Sequence, residues 1–435
     1  MPKIKSRLVS HKILQSGVRA DAQPLSGIDV LTSHMGIPVI QVYPQGLDIA
    51  RLEQSLIKVL ANYPMLTGRL QKDAQGLPLI VGSDAGVAFR VRQCRGPIPP
   101  FGPQHHMGPL IGSFHTPIYP WNVFKPGCPL MNFDIYRFDD GGMVLSITTV
   151  HSVLDGTAFW QFMLDWSKTA RGIDTPPRPV DRNILVTTGQ AHLKTPYTRH
   201  YVYRMGFWER IKLFARFGWQ HLLKLDKGVF RIPAATVAQW KEQARAERPD
   251  SDGVTTTELV TAHCLQLMAP LWKGSHDRCL GLVIDLRYKR RLHVPKHYIG
   301  NALGHGEVMY TAQELAQASM TDLAIKSRMP ADSLTHDDLL GYLGLMEHAR
   351  QNGYLLSLMM RSVARTLDGG LVLNTCSHFP IYDIDFGTGK PSWHDAVRVV
   401  FRMLMVVATP EGDGGVDIHL TATREELALF SARYG

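Results

Sequence analysis

A chain of 435 residues exceeds what one compact core usually organises, so two or three domains are expected. With 45% hydrophobic and 20% charged residues and no low-complexity tract, the composition excludes disorder and fibrous architectures. The net charge of +9 suits an anionic ligand such as a phosphorylated cofactor. Nucleic acid is not an expected partner, because there is no block of like charges, zinc-finger spacing or RNA-recognition signature.

The N-terminus carries Lys3, Lys5, Arg7, Lys12 and Arg19 ahead of the first acid, Asp21. No apolar stretch follows that would serve secretion or span a bilayer, so a cytoplasmic protein without stable membrane insertion is expected. Residues 37–43 are rich in β-formers between Gly36 and Pro44 and read as a strand. Within 47–62, Leu52, Leu56, Val59 and Leu60 share one helix face, and Tyr63-Pro64 ends that helix.

Residues 94–130 are rich in Pro and Gly and read as a surface loop. Its His105, His106 and His115 have no nearby carboxylate and do not suggest a metal site. Two strands in hairpin spacing follow, 130–138 and 143–150, around Asp139-Asp140-Gly141-Gly142. A helix at 157–170 carries Phe159, Phe162, Met163 and Trp166 on one side.

Residues 172–230 read as a linker and an amphipathic segment. Its stripe of Phe207, Ile211, Phe214 and Leu222 is expected to pack between domains rather than to lie on a membrane. Beyond it, a helix at 256–271 and strand-like runs at 280–286, 371–375 and 397–408 complete an alternation that indicates a two-domain α/β or α+β protein. The five cysteines, Cys94, Cys128, Cys264, Cys279 and Cys376, are odd in number and form no Cys-x-x-Cys pair, which fits reduced thiols.

The strongest candidate for chemistry is His151, which emerges from a buried β-run just before Asp155-Gly156. Imidazole titrates near neutral pH and serves as a general base there. Asp155 either orients the ring or ties down the turn, and an isolated His-x-x-x-Asp is most simply a satisfied core histidine. Further on, Asp385-Phe386-Gly387-Thr388-Gly389-Lys390-Pro391 implies a tight loop needing positive φ. It matches neither a P-loop nor a Rossmann turn.

Taken in order, these two motifs resemble the signatures of the BAHD family of acyl-CoA-dependent acyltransferases, of the chloramphenicol-acetyltransferase-like superfamily. Further segments are similar to the family: Leu25-Ser-Gly-Ile-Asp29, Leu60-Ala-Asn-Tyr-Pro-Met-Leu-Thr-Gly-Arg69, Pro179-Val-Asp-Arg182, Thr256-Thr-Glu-Leu-Val-Thr-Ala-His263, and Ile284-Asp-Leu-Arg287 with Tyr298-Ile-Gly-Asn-Ala302.

The resemblance implies an α/β (α+β) fold of two chloramphenicol-acetyltransferase-like domains, each a mixed sheet flanked by helices. Residues 1–180 would form the first domain, 181–230 a crossover and 231–435 the second. It implies acyl transfer from acyl-CoA to a hydroxyl or amine of a small-molecule acceptor, in a monomer and without a metal.

In that reading His151 is the catalytic base and Asp155 pairs structurally with Arg287. Asp385 is a structural loop residue, Thr375 is an oxyanion or acceptor contact, and Thr256, Thr257, Asn301 and Gly387 meet the cofactor. Val150, Cys376 and Thr388 depart from the family pattern. Carrier-protein-dependent condensation enzymes, and an inactive acyl-CoA-binding relative, are the alternatives.

Overall fold

The computed structural model describes residues 4–435 except 33, 104, 179–180, 250–252, 273–275 and 397–398. The first stretch of chain supplies strands β1 (Ser6–Leu14), β2 (Ala20–Pro24), β3 (Gly36–Tyr43), β4 (Arg69–Lys72), β5 (Pro78–Gly82), β6 (Val87–Cys94), β7 (Met131–Arg137) and β8 (Met143–Val150). It also supplies helices α1 (Gly27–Leu31), α2 (Ile49–Ala61) and α3 (Gly156–Ala170).

Then come α4 (Asn183–Ala191), β9 (Val202–Arg204), α5 (Phe207–Leu223), β10 (Leu225–Ile232), α6 (Ala234–Glu247) and α7 (Thr256–Met268). The remainder is β11 (Arg278–Asp285), β12 (Leu303–Tyr310), α8 (Ala312–Gln317), α9 (Met320–Asp332), α10 (His336–Gln351), β13 (Leu358–Met360), α11 (Arg361–Arg365), β14 (Leu371–Thr375), β15 (Trp393–Ala396), β16 (Met403–Ala408), β17 (Val416–Thr423) and α12 (Arg424–Tyr434).

Two six-stranded mixed sheets dominate, in the orders β1-β6-β7-β8-β3-β15 and β10-β17-β16-β14-β11-β12. The β7–β8 hairpin turns because Gly141 adopts φ +90°, while Asp140 accepts hydrogen bonds from the Ile98 and Gly142 amides. Every residue of β8 is buried, so the strand runs as a covered central element.

Helix α2 starts at Asp48, whose carboxylate accepts from Arg51 N, and buries Leu52, Leu56, Val59 and Leu60. It packs beside α3, where the Trp166 indole donates to Ser55 Oγ at 3.0 Å. Around the second sheet, α7, α9 and α12 build a separate core with residues such as Leu259, Leu323 and Phe430.

The structure corrects three expectations. The boundary expected at 230 cuts through β10, a full member of the second sheet through its register with β17. Nor is the second half contiguous in space, because β15 returns to the first sheet and pairs antiparallel with β3, Trp393 opposite Val42. Lys227 on β10 and Asp395 on β15 form a buried ion pair that ties the two sheets together at this junction.

Second, α5 does not pack its apolar stripe between domains; Phe217 is its buried residue, and Phe207, Ile211, Phe214 and Leu222 are exposed. Third, the helix expected over 256–271 leaves the α conformation after Met268, where Pro270 has no amide to continue the ladder and a 3-10 turn follows. Of the strand expected over 397–408, the structure forms Met403–Ala408 as β16; residues 397–398 lie outside the described residues.

Candidate active site

His151 directly follows β8, at the mouth of a turn that leads into α3. Its backbone is held on both sides: its N–H donates to Met35 O at 3.0 Å, and its carbonyl accepts from Asn301 Nδ2 at 2.8 Å. The ring is half-buried, and its Nδ1 is buried without a hydrogen-bond partner. Next to it, Ser152 Oγ meets Nδ1 of His34 at 2.8 Å. Burial, opposed by Asp29 and assisted by Lys72, pulls the His34 pKa down to about 4, so that ring is neutral at pH 7.

Asp155 has no valence left for His151. As N-cap of α3 it accepts from Ala158 N at 2.9 Å. Arg287 binds it through Nη1–Oδ2 at 2.8 Å and Nη2–Oδ1 at 3.0 Å, and Ala302 N donates to Oδ2 at 3.0 Å. Arg287 is itself buried and also donates to Asp285, to the Tyr298 carbonyl and to the Gly300 carbonyl. The pair is therefore a solvent-shielded clamp between α3 and the segment after β11. It cannot serve as a proton relay.

A second clamp lies beside the first. Arg182 is fully buried, pairs with Asp29 at 2.8 Å, and donates to the Ser152 and Val153 carbonyls. Asp29 also accepts the Asn301 N–H and side-chain amide at 2.9 and 3.0 Å. Three segments far apart in sequence thus converge on the backbone of 151–153, through Met35, Arg182 and Asn301. The motif at 179–182 contributes Arg182; its Pro179 and Val180 lie outside the described residues.

Asn301 was expected along the cofactor channel. The structure buries it completely, and its amide serves Asp29 and the His151 carbonyl, because a polar side chain so enclosed must spend its donors internally. The sequence reading missed this role, and it also missed Arg182, Asp29 and His34. Asp29 and Arg182 stand in visible family-like motifs and His34 in none, and no local pattern marks which distant groups these side chains meet.

Thr256 and Thr257 stand in the first turn of α7, bordering a cavity of about 420 Å³ lined also by Lys241, Arg245, Thr255 and Ser377. Helix N-terminal amides with two cationic side chains favour an anion there. Thr257 Oγ1 lies 3.2 Å from Ser377 Oγ, which follows shortly after Thr375 at the end of β14. The same turn carries Phe379, packed so closely on Gly156 that a Cβ there would meet its ring at 2.8 Å. One short segment, 375–379, therefore runs from the α7 cavity to the turn below His151.

Asp385 is elsewhere engaged. Its Oδ1 accepts from Gly387 N at 2.7 Å and Gly389 N at 3.0 Å, closing a turn in which both glycines have positive φ. Phe386 inserts into the first core, 4.6 Å from Trp166, and Thr388 Oγ1 donates to Gly46 O at 2.9 Å. Gly387 is exposed beside Arg51 of α2 and Arg171, not beside the α7 cavity residues. The loop is a strap that fastens the late chain onto the first sheet's helices.

The rings of Trp160 and Phe379 lie 6.5 Å apart, centroid to centroid, and Phe401 packs in a small cluster with Phe217. Among the described residues, no group of three or more His, Cys, Asp or Glu side chains is placed to hold a metal ion.

A profile described as the Transferase family matches residues 16–434. The chain belongs to this family, the BAHD acyltransferases. It is an enzyme of the class that moves acyl groups from CoA thioesters to oxygen or nitrogen acceptors.

Relatives of this BAHD enzyme include shikimate O-hydroxycinnamoyltransferase of Nicotiana tabacum, 23% identical, the match covering 93% of each chain. Agmatine coumaroyltransferase-1 of Hordeum vulgare is 23% identical over 96% of this chain and 94% of its own. Among solved structures, vinorine synthase superposes with a TM-score of 0.69 at 18% identity, covering 98% of this chain and 96% of its own. TRI101 of F. graminearum, in complex with coenzyme A and deoxynivalenol, gives 0.70 at 16% identity over 95% of this chain and 99% of its own. These likenesses establish the shared two-sheet fold.

Proposed function

We propose that His151 is the general base of a direct acyl transfer, removing the proton from a small-molecule hydroxyl or amine as that atom attacks the thioester carbonyl of acyl-CoA. The observation that carries this reading is the state of His151. Its main chain is clamped at both ends, its Nδ1 has no hydrogen-bond partner while Asp155 is taken up by Arg287 and two backbone amides, and it stands at a strand tip.

The cavity at the start of α7 suits the phosphates of acyl-CoA, through Lys241, Arg245 and the first-turn amides beside Thr256 and Thr257. Thr375, at the end of β14 two residues before Ser377, is read as the hydroxyl that donates to the developing oxyanion. Such a donor is worth about 3–4 kcal/mol in a site closed to water. Asp155 and Asp385 act structurally. The enzyme is read as a cytosolic monomer with its first domain built mainly from residues before 181.

The test is acyl transfer from coumaroyl-CoA to shikimate, agmatine and putrescine, followed by mass spectrometry for free CoA and product. His151→Ala should lower turnover by about a thousandfold while the protein stays folded. Near-normal turnover in the variant would remove His151 as base. Lys241→Ala with Arg245→Ala should raise KM for the CoA donor about tenfold and leave kcat in place. Donor use only as an acyl-carrier protein would favour the condensation-enzyme reading, and donor binding without product over a broad acceptor panel the inactive one.

A further inference from the structure

Helix α5 is built inside out. At about 100° per residue, Trp208, Ile211, Trp219, Leu222 and Leu223 fall on its outward side, opposite the buried Phe217. Trp208 is 71% exposed, Trp219 61% and Leu222 75%. Burying these side chains would be favourable by the usual hydrophobic measure, so a solvated helix of this pattern lacks its proper surroundings.

The charges around this ridge share one sign. Lys212 and Arg216 fall beside it, about 40° and 80° round the helix from Trp208, while Arg210 and Lys224 fall toward the opposite side; the helix's one acid, Glu209, is spent on capping the Gly206 amide. Of the cations, Arg216 is paired with Asp368 at 2.9 Å. Basic side chains beside an aromatic and aliphatic face complement a layer with anionic headgroups over an apolar interior. The two indoles sit about 16 Å apart along the helix, each able to place its ring at the boundary and its N–H in the wet region.

We propose that α5 docks this acyltransferase reversibly on an anionic lipid surface, lying in the headgroup plane with Trp208, Trp219 and Leu222 buried in the acyl boundary. The helix lies along the interface and does not cross it; no helix among the described residues is long and apolar enough to span a membrane.

The experiment is flotation of the full chain with vesicles of phosphatidylcholine and phosphatidylserine, compared with vesicles of phosphatidylcholine alone, with light scattering of the free protein alongside. The wild type should float with the anionic vesicles and remain monomeric in solution. Trp208→Ser, Trp219→Ser and Leu222→Ser combined should cut the bound fraction about tenfold or more. Lys212→Ala with Arg216→Ala should cut it several-fold, as should high salt. Both variants should keep the wild-type circular dichroism spectrum and melting transition.

Three results would overturn the proposal. One is wild-type protein that ignores the anionic vesicles, and another is a triple variant that floats as well as wild type. The third is a wild-type dimer that the triple variant splits, which would assign the ridge to a second copy of the chain.

Discussion

Arg287 holds Asp155 by both carboxylate oxygens across 132 residues of sequence, and both side chains are almost wholly buried. Removing either partner strands the other charge away from water. Asp155→Ala and Arg287→Ala should each lower unfolding free energy by about 3–5 kcal/mol. The double variant should lose distinctly less than the sum of the singles. Urea unfolding of the four proteins gives the coupling energy; strict additivity would mean that the pair does not act as a clamp.

Asn301 touches the His151 carbonyl and Asp29 but is closed to solvent. Asn301→Ala should therefore lower kcat by about tenfold to a hundredfold through loss of ring placement, with KM for the acyl donor little changed. A change confined to KM would instead return Asn301 to the cofactor path. Asn301→Asp, which sets a second carboxylate against Asp29, should be less stable than Asn301→Ala by thermal denaturation.

In the strap at 385–389, Gly387 has φ +97° and its missing Cβ leaves room for Arg51. Gly387→Ala should cost about 1–2 kcal/mol in stability. Asp385→Ala, which leaves two loop amides without their acceptor, should cost a similar amount and make the loop more sensitive to limited proteolysis. Full stability accompanied by lost activity would give Asp385 a direct part in catalysis.

Burial holds His263, His305 and His394 neutral, with pKa values pulled down to about 4 from an ordinary 6.5. Between those limits the unfolded chain takes up protons at these positions and the folded chain does not. Stability is therefore intact above pH 6.5 and declines as pH falls toward 4, by on the order of a few kcal/mol for each ring. Urea midpoints measured from pH 7.5 to 4.5 at fixed ionic strength check the slope. A flat profile would show that these rings are protonated in the folded state.

The hairpin at β7–β8, helix α3 and strand β14 were legible because each has a local signal: a Gly-rich turn, an apolar helix face or a short β-branched run. The place of His151 at the end of a buried strand was legible for the same reason. Strand β1 went unread since it is an edge strand with Arg7, His11 and Lys12 on it, so no core face alternates along it. Strand β10 was taken for linker because Asp226, Lys227, Gly228 and Arg231 interrupt it. The partners that make it a strand and bury Lys227 are 168 residues or more downstream. The α5 stripe was plain in the sequence, but its surroundings were not, since periodicity tells which residues share a face and not what the face meets.

The return of β15 to the first sheet carries a consequence for how the polypeptide can be divided. Without β15, β3 would present an unpaired row of amides and carbonyls beside a hydrophobic face, the kind of edge that recruits foreign strands. A fragment ending before Trp393 would be left with that seam open, and it should precipitate or bind itself. Mixed with the missing piece, it should recover solubility. The strand thus acts as a closure that is added only once the chain has been made past Trp393, and a ribosome stalled before it would hold a sticky, unfinished sheet.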